Sequence, residues 1–281
     1  MKTILAPTDL SERSERALRQ AIHLASAHDA ALHVLYVVDE DIPARIAKEI
    51  KSRAAEALDE QIAQIPDGKS VKLTIHVEFK TIWKGIVEAA EALGADLLVL
   101  GSHRSRGIME LFRGTTVQRV AKVTKTPLLV VNNATPGPYR DVIVGVDFSD
   151  CSRNAINVGA TLAPKGTLTL TNVYHVPFKE FTKRADPDGA IEKRDRLQTE
   201  SELAKEMKAF EKRLENKSLK LKRTFIEGGP APVLLEQARR RDSDLICVGS
   251  HGRSWLAEAF IGNTARELLS AAPCDVLVVP L

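Results

Sequence analysis

The chain repeats itself, and that fact limits its fold more than any other. The run Ile4-Leu5-Ala6-Pro7-Thr8-Asp9-Leu10-Ser11 returns as Ile143-Val144-Gly145-Val146-Asp147-Phe148-Ser149, aligned on a carboxylate, with Asp9 and Asp147 138 positions apart. Ala95–His103 returns as Ser243–His251 after 148 positions, and Gly114 with Gly262, and Leu129-Val130 with Leu277-Val278, keep that offset. The second copy therefore holds about ten more residues between the first two landmarks. At roughly 150 residues per domain, 281 residues suffice for two cores. Between the copies lies Asn132-Asn133-Ala134-Thr135-Pro136-Gly137-Pro138-Tyr139, a cluster of turn formers that predicts a boundary, with one domain over 1–133 and the other over 140–281.

Within each copy short β-rich runs alternate with longer helical patterns. In the first, the strand candidates are Thr3–Pro7, Ala31–Val38, Lys72–Phe79, Leu97–Leu100 and Pro127–Val131. Alternation of this kind predicts a parallel sheet with crossover helices, and the nearly continuous apolar runs predict helices on both faces. The expected fold class is α/β, with two tandem, doubly wound, five-stranded parallel-sheet domains. The extra length of the second copy falls within Phe178–Arg223, where Leu203, Met207, Phe210 and Leu214 mark one apolar face of a helix otherwise solvated by mixed charges. A basic arm for binding a partner is the weaker reading there, because acids interleave with the bases.

Composition narrows the function. Forty Lys and Arg against 37 Asp and Glu leave a formal charge of +3, too little for a protein held mainly by nucleic-acid backbones. Aromatic residues make up 5%, which argues against base-stacking platforms. The longest apolar runs fall far short of the ~20 residues that cross a bilayer, and no apolar stretch of signal-peptide length follows Met1, so a cytoplasmic protein is expected. Three widely spaced cysteines, Cys151, Cys247 and Cys274, fit reduced thiols, the latter two in core strands. The seven histidines show neither H-E-x-x-H spacing nor a nearby cysteine pair, so no metal site is expected.

In an open parallel sheet ligands bind beyond the carboxyl ends of the strands, where strand order reverses. After strand four the second copy carries Gly249-Ser250-His251-Gly252-Arg253-Ser254, and then Gly262-Asn263-Thr264-Ala265 opening a last helix. Glycines allow backbone N–H groups close to an anion, and a helix start adds unpaired donors, so phosphate is the natural guest. Asp147 after strand one can accept from a sugar hydroxyl or an adenine amino group, and Ser149 can cap the helix that follows. Neither G-x-x-x-x-G-K-[ST] nor a strand-linked G-x-G-x-x-G is present, which argues against a P-loop NTPase or a Rossmann dehydrogenase. His103 and His251 follow matching Gly-Ser pairs and read as loop anchors, with no carboxylate or nucleophile tied to them by local spacing. Trp83 and Trp255 occupy non-equivalent positions.

These residues resemble the universal stress protein family, whose nucleotide-binding members carry Gly-x2-Gly-x9-Gly-[Ser/Thr] after strand four. The second copy has Gly249, Gly252 and Gly262 at that spacing, with Asn263 in the hydroxyl position and Thr264 one place later. The first has Gly101, Arg104 in place of the second glycine, Gly114 and a matching Thr115. The resemblance spans both copies and implies a second-domain site for ATP, or AMP or ADP, with or without Mg²⁺, at Val146, Asp147, Ser149, Val173, Val248, Gly249, Gly252, Arg253, Gly262, Asn263 and Thr264. The corresponding first-domain positions are Thr8, Asp9, Val37, Gly101, Arg104, Gly114, Thr115 and Thr116.

Arg104 puts a side chain where backbone should approach a phosphate, so the first site is expected to be degraded and its domain mainly structural. The opposing reading has Arg104, Arg106 and Arg113 grip an anion through their guanidinium groups. Family members commonly dimerise by pairing the edges of their last strands, and a tandem chain can satisfy that pairing internally, Pro127–Val131 against Pro273–Val279, as a pseudo-twofold dimer. A homodimer of whole chains stays open. The expected function is a nucleotide-linked stress-response or signalling protein rather than an enzyme, with at most slow ATP hydrolysis, because no P-loop lysine, water-activating base or metal-carboxylate pair is recognisable. The alternative is an interaction protein with vestigial sites.

Overall fold

A computed structural model describes residues 1–281 apart from 41, 43, 66, 67, 69, 103–114, 176–189, 217 and 252–260. Ten strands form one sheet: β1 (Thr3–Thr8), β2 (Ala31–Val38), β3 (Leu73–Phe79), β4 (Leu97–Gly101), β5 (Leu128–Val131), β6 (Asp141–Gly145), β7 (Thr167–Tyr174), β8 (Lys220–Glu227), β9 (Leu245–Gly249) and β10 (Asp275–Val279). Their order is β3-β2-β1-β4-β5-β10-β9-β6-β7-β8. Each half is thus a parallel five-stranded unit with the same doubly wound order, and the order reverses beside β1 in one half and β6 in the other.

The two halves meet at their fifth strands. Val276 pairs with Val130, Leu277 with Leu129 and Val278 with Leu128, antiparallel, which relates the halves by a pseudo-twofold axis. All six side chains are buried. Left open, these apolar edges would offer unpaired backbone groups to other chains, and each half covers the other's.

Eight helices among the described residues cover the sheet: α1 (Glu12–His28), α2 (Ala44–Gln64), α3 (Ile82–Ala92), α4 (Thr116–Val123), α5 (Asp150–Leu162), α6 (Ala190–Glu211), α7 (Pro230–Arg241) and α8 (Asn263–Ala271). They divide between two hydrophobic cores, one holding Leu18, Leu58, Ile156 and Met207, the other Ile86, Val120, Leu234 and Leu268. Neighbouring strand residues go to opposite cores, Ile4 to the first and Leu5 to the second, which is why the strands read as unbroken apolar runs. The three thiols are free and buried.

The added length of the second half lies ahead of α6. Residues 175–189 stand where the first half has only 39–43, while α2 and α6 are nearly equal in length. Met207, Phe210 and Leu214 are buried and Leu203 packs against the same core, with the Phe210 ring edge-on to Phe148 at 5.7 Å. Leu214 lies just past the end of α6 rather than within it.

A buried latch joins the linker to the second half. Asp275 accepts from Tyr139 Oη at 2.6 Å and from the Asn132 and Asn133 N–H groups at 2.8 Å each. Burial raises the Asp275 carboxyl above its ordinary range, and these donors only partly offset it. On the other side, Gln20 of α1 exchanges two hydrogen bonds with the Gly137 backbone. No helix among the described residues is long and apolar enough to cross a membrane.

Candidate functional site

Each half opens a cleft at the carboxyl ends of its central strands, where strand order reverses. The second is a cavity of about 180 Å³ lined by Gly145, Val146, Asp147, Ser152, Thr171, Val173, Pro230, Leu234, Val248, Gly249, Ser250, His251, Gly262, Thr264 and Ala265. The first, about 150 Å³, is lined by Pro7, Thr8, Asp9, Ser11, Arg13, Ser14, Leu35, Val37, Ile82, Ile86, Leu100, Gly101, Ser102, Thr116 and Val117. Nearly every wall position has its counterpart, Asp9 for Asp147, Val37 for Val173 and Thr116 for Thr264, and the first cleft is scarcely smaller.

The turn after the first strand of each half aims the carboxylate. Ser149 N–H donates to Asp147 Oδ1 at 3.1 Å, and Ser11 N–H donates to Asp9 Oδ1 at 3.0 Å. The residues between them, Phe148 and Leu10, have φ of 65° and 61°, a left-handed conformation that costs a bulky side chain roughly 1 kcal/mol or more. Packing holds it in place: Phe148 is buried against Phe210, and Leu10 lies on the same core. Ser149 and Ser11 then cap α5 and α1, accepting from the N–H groups of Ser152 and Ser14. Ser149 therefore fixes Asp147 from outside the cleft lining. At Asp9 burial works to raise the carboxyl, but hydrogen bonds from Ser11 and Ser14 and the nearby Arg13 charge prevail and hold it below the ordinary carboxylate range.

The first glycine of the strand-four loop serves packing. A Cβ on Gly249 would lie 2.6 Å from Cys151 Cβ, and one on Gly101 would lie 2.5 Å from the Arg13 carbonyl oxygen. Both distances are closer than real Cβ contacts allow, so these glycines let α5 and α1 start tight against the sheet. Gly262, at the other end of the loop, ties the start of α8 to β9 through its N–H and the Ser250 carbonyl at 2.8 Å. Ser250 Oγ and His251 Nδ1 lie 2.9 Å apart, and burial pushes His251 below its ordinary pKa, so at pH 7 it stands as a neutral anchor of the loop.

The helices that end the two loops differ. At α4, Thr115 is the N-cap and closes a capping box: its hydroxyl accepts from Gln118 N–H at 3.2 Å, and Gln118 Oε1 accepts from Thr115 N–H at 3.3 Å. At α8 the N-cap is Gly262, which has no side-chain cap. The Asn263 side chain turns away to accept from Arg266 at 3.2 Å, so the first N–H groups of α8 receive no side-chain acceptor. Thr264, and in the first half Thr116, is the hydroxyl residue that lines its cleft, one position beyond Asn263 and Thr115.

Of the expected second-half residues, Val146, Asp147, Val173, Val248, Gly249, Gly262 and Thr264 come together in the cleft, whereas Ser149 and Asn263 stand outside its lining. Gly252 and Arg253 lie outside the described residues. In the first half Thr8, Asp9, Val37, Gly101 and Thr116 line the cleft, Thr115 is engaged in its cap, and Arg104 and Gly114 lie outside the described residues. So do Arg106, Arg113, His103 and Trp255. The sequence reading missed Ser152, Thr171, Pro230 and Leu234, which come from α5, β7 and α7. Equal spacing of α7 and α3 from the strand-four landmark, which pairs Pro230 with Ile82 and Leu234 with Ile86, is the signal that would have found the latter two. Among the described residues no group of three or more His, Cys, Asp or Glu side chains is placed to hold a metal ion.

Comparison with known proteins gives the same answer for both halves. The model of the universal stress protein family matches residues 1–132 and again 138–280. A universal stress protein of Methanocaldococcus jannaschii is 32% identical over 139 residues, covering 46% of this chain and 81% of that protein. One from Mycolicibacterium smegmatis is 23% identical over 291 residues, covering 98% of this chain and 96% of its own. The crystal structure of a universal stress protein from Archaeoglobus fulgidus superposes with a TM-score of 0.71 at 19% identity, covering 99% of this chain and 98% of that one.

Proposed function

Because the chain belongs to the universal stress protein family, we propose that its second domain, residues 140–281, binds an adenine nucleotide and that occupancy of this cleft is the signal it carries in a stress response. The observation that carries the reading is the start of α8. A carboxylate just beyond β6, Asp147, and a helix end without a side-chain cap stand at the same cleft, which Val146, Val173, Leu234 and Val248 also line. An adenine and its ribose suit the apolar wall and the carboxylate. Phosphates suit the open N–H groups and positive dipole end of α8, with the Thr264 hydroxyl beside them. ATP, ADP and AMP share that chemistry. Mg²⁺ would arrive with the phosphates rather than on a protein cage, given the absence of an acidic cluster among the described residues.

The described lining of the second cleft holds no Lys or Arg to clamp a transferred phosphoryl group, and its two titratable side chains are engaged, Asp147 with Ser149 and His251 with Ser250, which supports a binding protein with slow hydrolysis at most. The first domain, residues 1–133, keeps the cleft but closes the helix end, consistent with a degraded nucleotide site. Pairing of β5 with β10 supports reading the two domains as an internal counterpart of a dimer, in a cytoplasmic protein. Titration of ATP into the wild type, Thr264→Val and Asp147→Asn by calorimetry tests the assignment. Each substitution is expected to weaken binding about 10-fold, the effect of one lost hydrogen bond to a charged group. Undiminished affinity in both variants would move the nucleotide elsewhere, and no ATP binding by the wild type would return the chain to the reading as an interaction protein.

A further inference from the structure

We propose that the first cleft takes a nucleoside without phosphates, so that the two halves of the chain sort adenine compounds by phosphorylation. This rests on the adenine reading of the second cleft, extended to a site with the same frame and a different polar end.

The body of the first cleft is kept. Val37 stands where Val173 stands, Asp9 where Asp147 does, and the apolar wall is fuller: Leu35 replaces Thr171, Ile82 replaces Pro230 and Leu100 replaces Val248. A flat heterocycle gains contact from that exchange. The recognition carboxylate is also kept and held by the Ser11 N–H at 3.0 Å, so it can accept from an amino group or a ribose hydroxyl. Arg13 lines this cleft at a position that Cys151 fills in the second half, and its charge helps to keep the Asp9 carboxyl ionised and ready to accept.

The phosphate end is closed. Thr115 and Gln118 occupy each other's N–H groups, and Gln118 Nε2 also donates to Ser270 Oγ of α8 at 3.3 Å, which pins the cap to the neighbouring domain. Of the backbone donors at the start of α4, the Thr115 and Gln118 N–H groups are taken by this cap, and the Gln118 side chain lies over the helix start that α8 leaves uncovered.

The test is calorimetric titration of the full chain with adenosine and, separately, with ATP and Mg²⁺, in the wild type, Ile82→Trp and Pro230→Trp. Both substituted residues sit at the exposed rim of their clefts, Ile82 at 42% exposure, so an indole fills the cleft without entering the core. Adenosine is expected to bind Pro230→Trp like the wild type and to lose at least ~10-fold in Ile82→Trp, with ATP showing the reverse. ATP bound in the first cleft of Pro230→Trp would overturn the proposal and assign phosphate to the loop arginines. Adenosine indifferent to Ile82→Trp, with ATP lost in Pro230→Trp, would overturn it while the second-cleft reading stands. Adenosine held by the first cleft with no ATP binding anywhere would sink that reading and, with it, overturn the sorting between the two halves. A gain-of-function variant completes the test: Thr115→Gly with Gln118→Ala, in the Pro230→Trp background, opens the α4 cap and is expected to raise ATP affinity at least ~10-fold, and no gain would overturn the role given to the cap.

Discussion

Adding one methyl group at Gly249 separates a packing glycine from a ligand glycine. In Gly249→Ala the new Cβ would lie 2.6 Å from Cys151 Cβ, 3.1 Å from the Cys151 carbonyl carbon and 3.2 Å from the His251 carbonyl oxygen. Two of these three are backbone atoms, so no rotamer change relieves them and the first turn of α5 must shift from β9. Overpacking of this kind costs typically about 1–3 kcal/mol. At about 2–4 °C per kcal/mol for a chain of this size, the melting temperature is expected to fall by about 2–12 °C. Scanning calorimetry on the ligand-free protein measures the drop. The double variant Gly249→Ala with Cys151→Gly removes the nearest offending atom and is expected to recover at least ~0.5 kcal/mol beyond the sum of the single changes. A melting temperature unchanged within a degree, together with a large loss of nucleotide affinity, would refute the packing role and return Gly249 to the phosphate.

Three further outcomes follow from the geometry. Tyr139→Phe leaves Asp275 Oδ2 buried without its 2.6 Å donor and is expected to cost about 1–3 kcal/mol by denaturant unfolding, while an unchanged midpoint would show that water replaces the phenol. Phe210→Ala removes a buried ring and its contact with Phe148, costs about 3–5 kcal/mol and should raise amide exchange along α6 first; exchange unchanged there would refute the docking of that helix through this face. The Asp9 carboxyl is held low in the folded state, so its contribution to stability is complete above the ordinary carboxylate range and is lost as pH falls through its lowered value. Asp9→Asn is accordingly expected to flatten the acid limb of the stability profile, and an acid limb identical to wild type would contradict that sign.

The strands and their sharing between two cores were readable because burial on both faces leaves unbroken apolar runs, and Ala31–Val38 was bounded as it stands in the sheet. The repeat then supplied the second half, and the resemblance supplied the meeting of the fifth strands. Side-chain direction at the loop ends was not readable in the same way. Motif spacing pointed to Asn263 and Thr115, yet both side chains are engaged at their own helix starts, Thr115 with the Gln118 N–H and Asn263 with the Arg266 side chain, and the next residue lines the cleft. The Thr115-x-x-Gln118 spacing is itself a capping-box signature and held the clue that α4 and α8 begin differently. Positive φ at Leu10 and Phe148 carries no sequence mark, because neither is glycine and only tertiary packing makes that conformation tenable.

Occupation of the second cleft by an adenine nucleotide underlies all of the ligand chemistry proposed above. It is tested most directly by denaturing the freshly purified protein and resolving the released small molecules by ion exchange, for the wild type and for Pro230→Trp. Near-stoichiometric adenine nucleotide is expected from the wild type and little or none from the variant. Equal nucleotide from both proteins, or none from the wild type even after incubation with ATP and Mg²⁺, would contradict it.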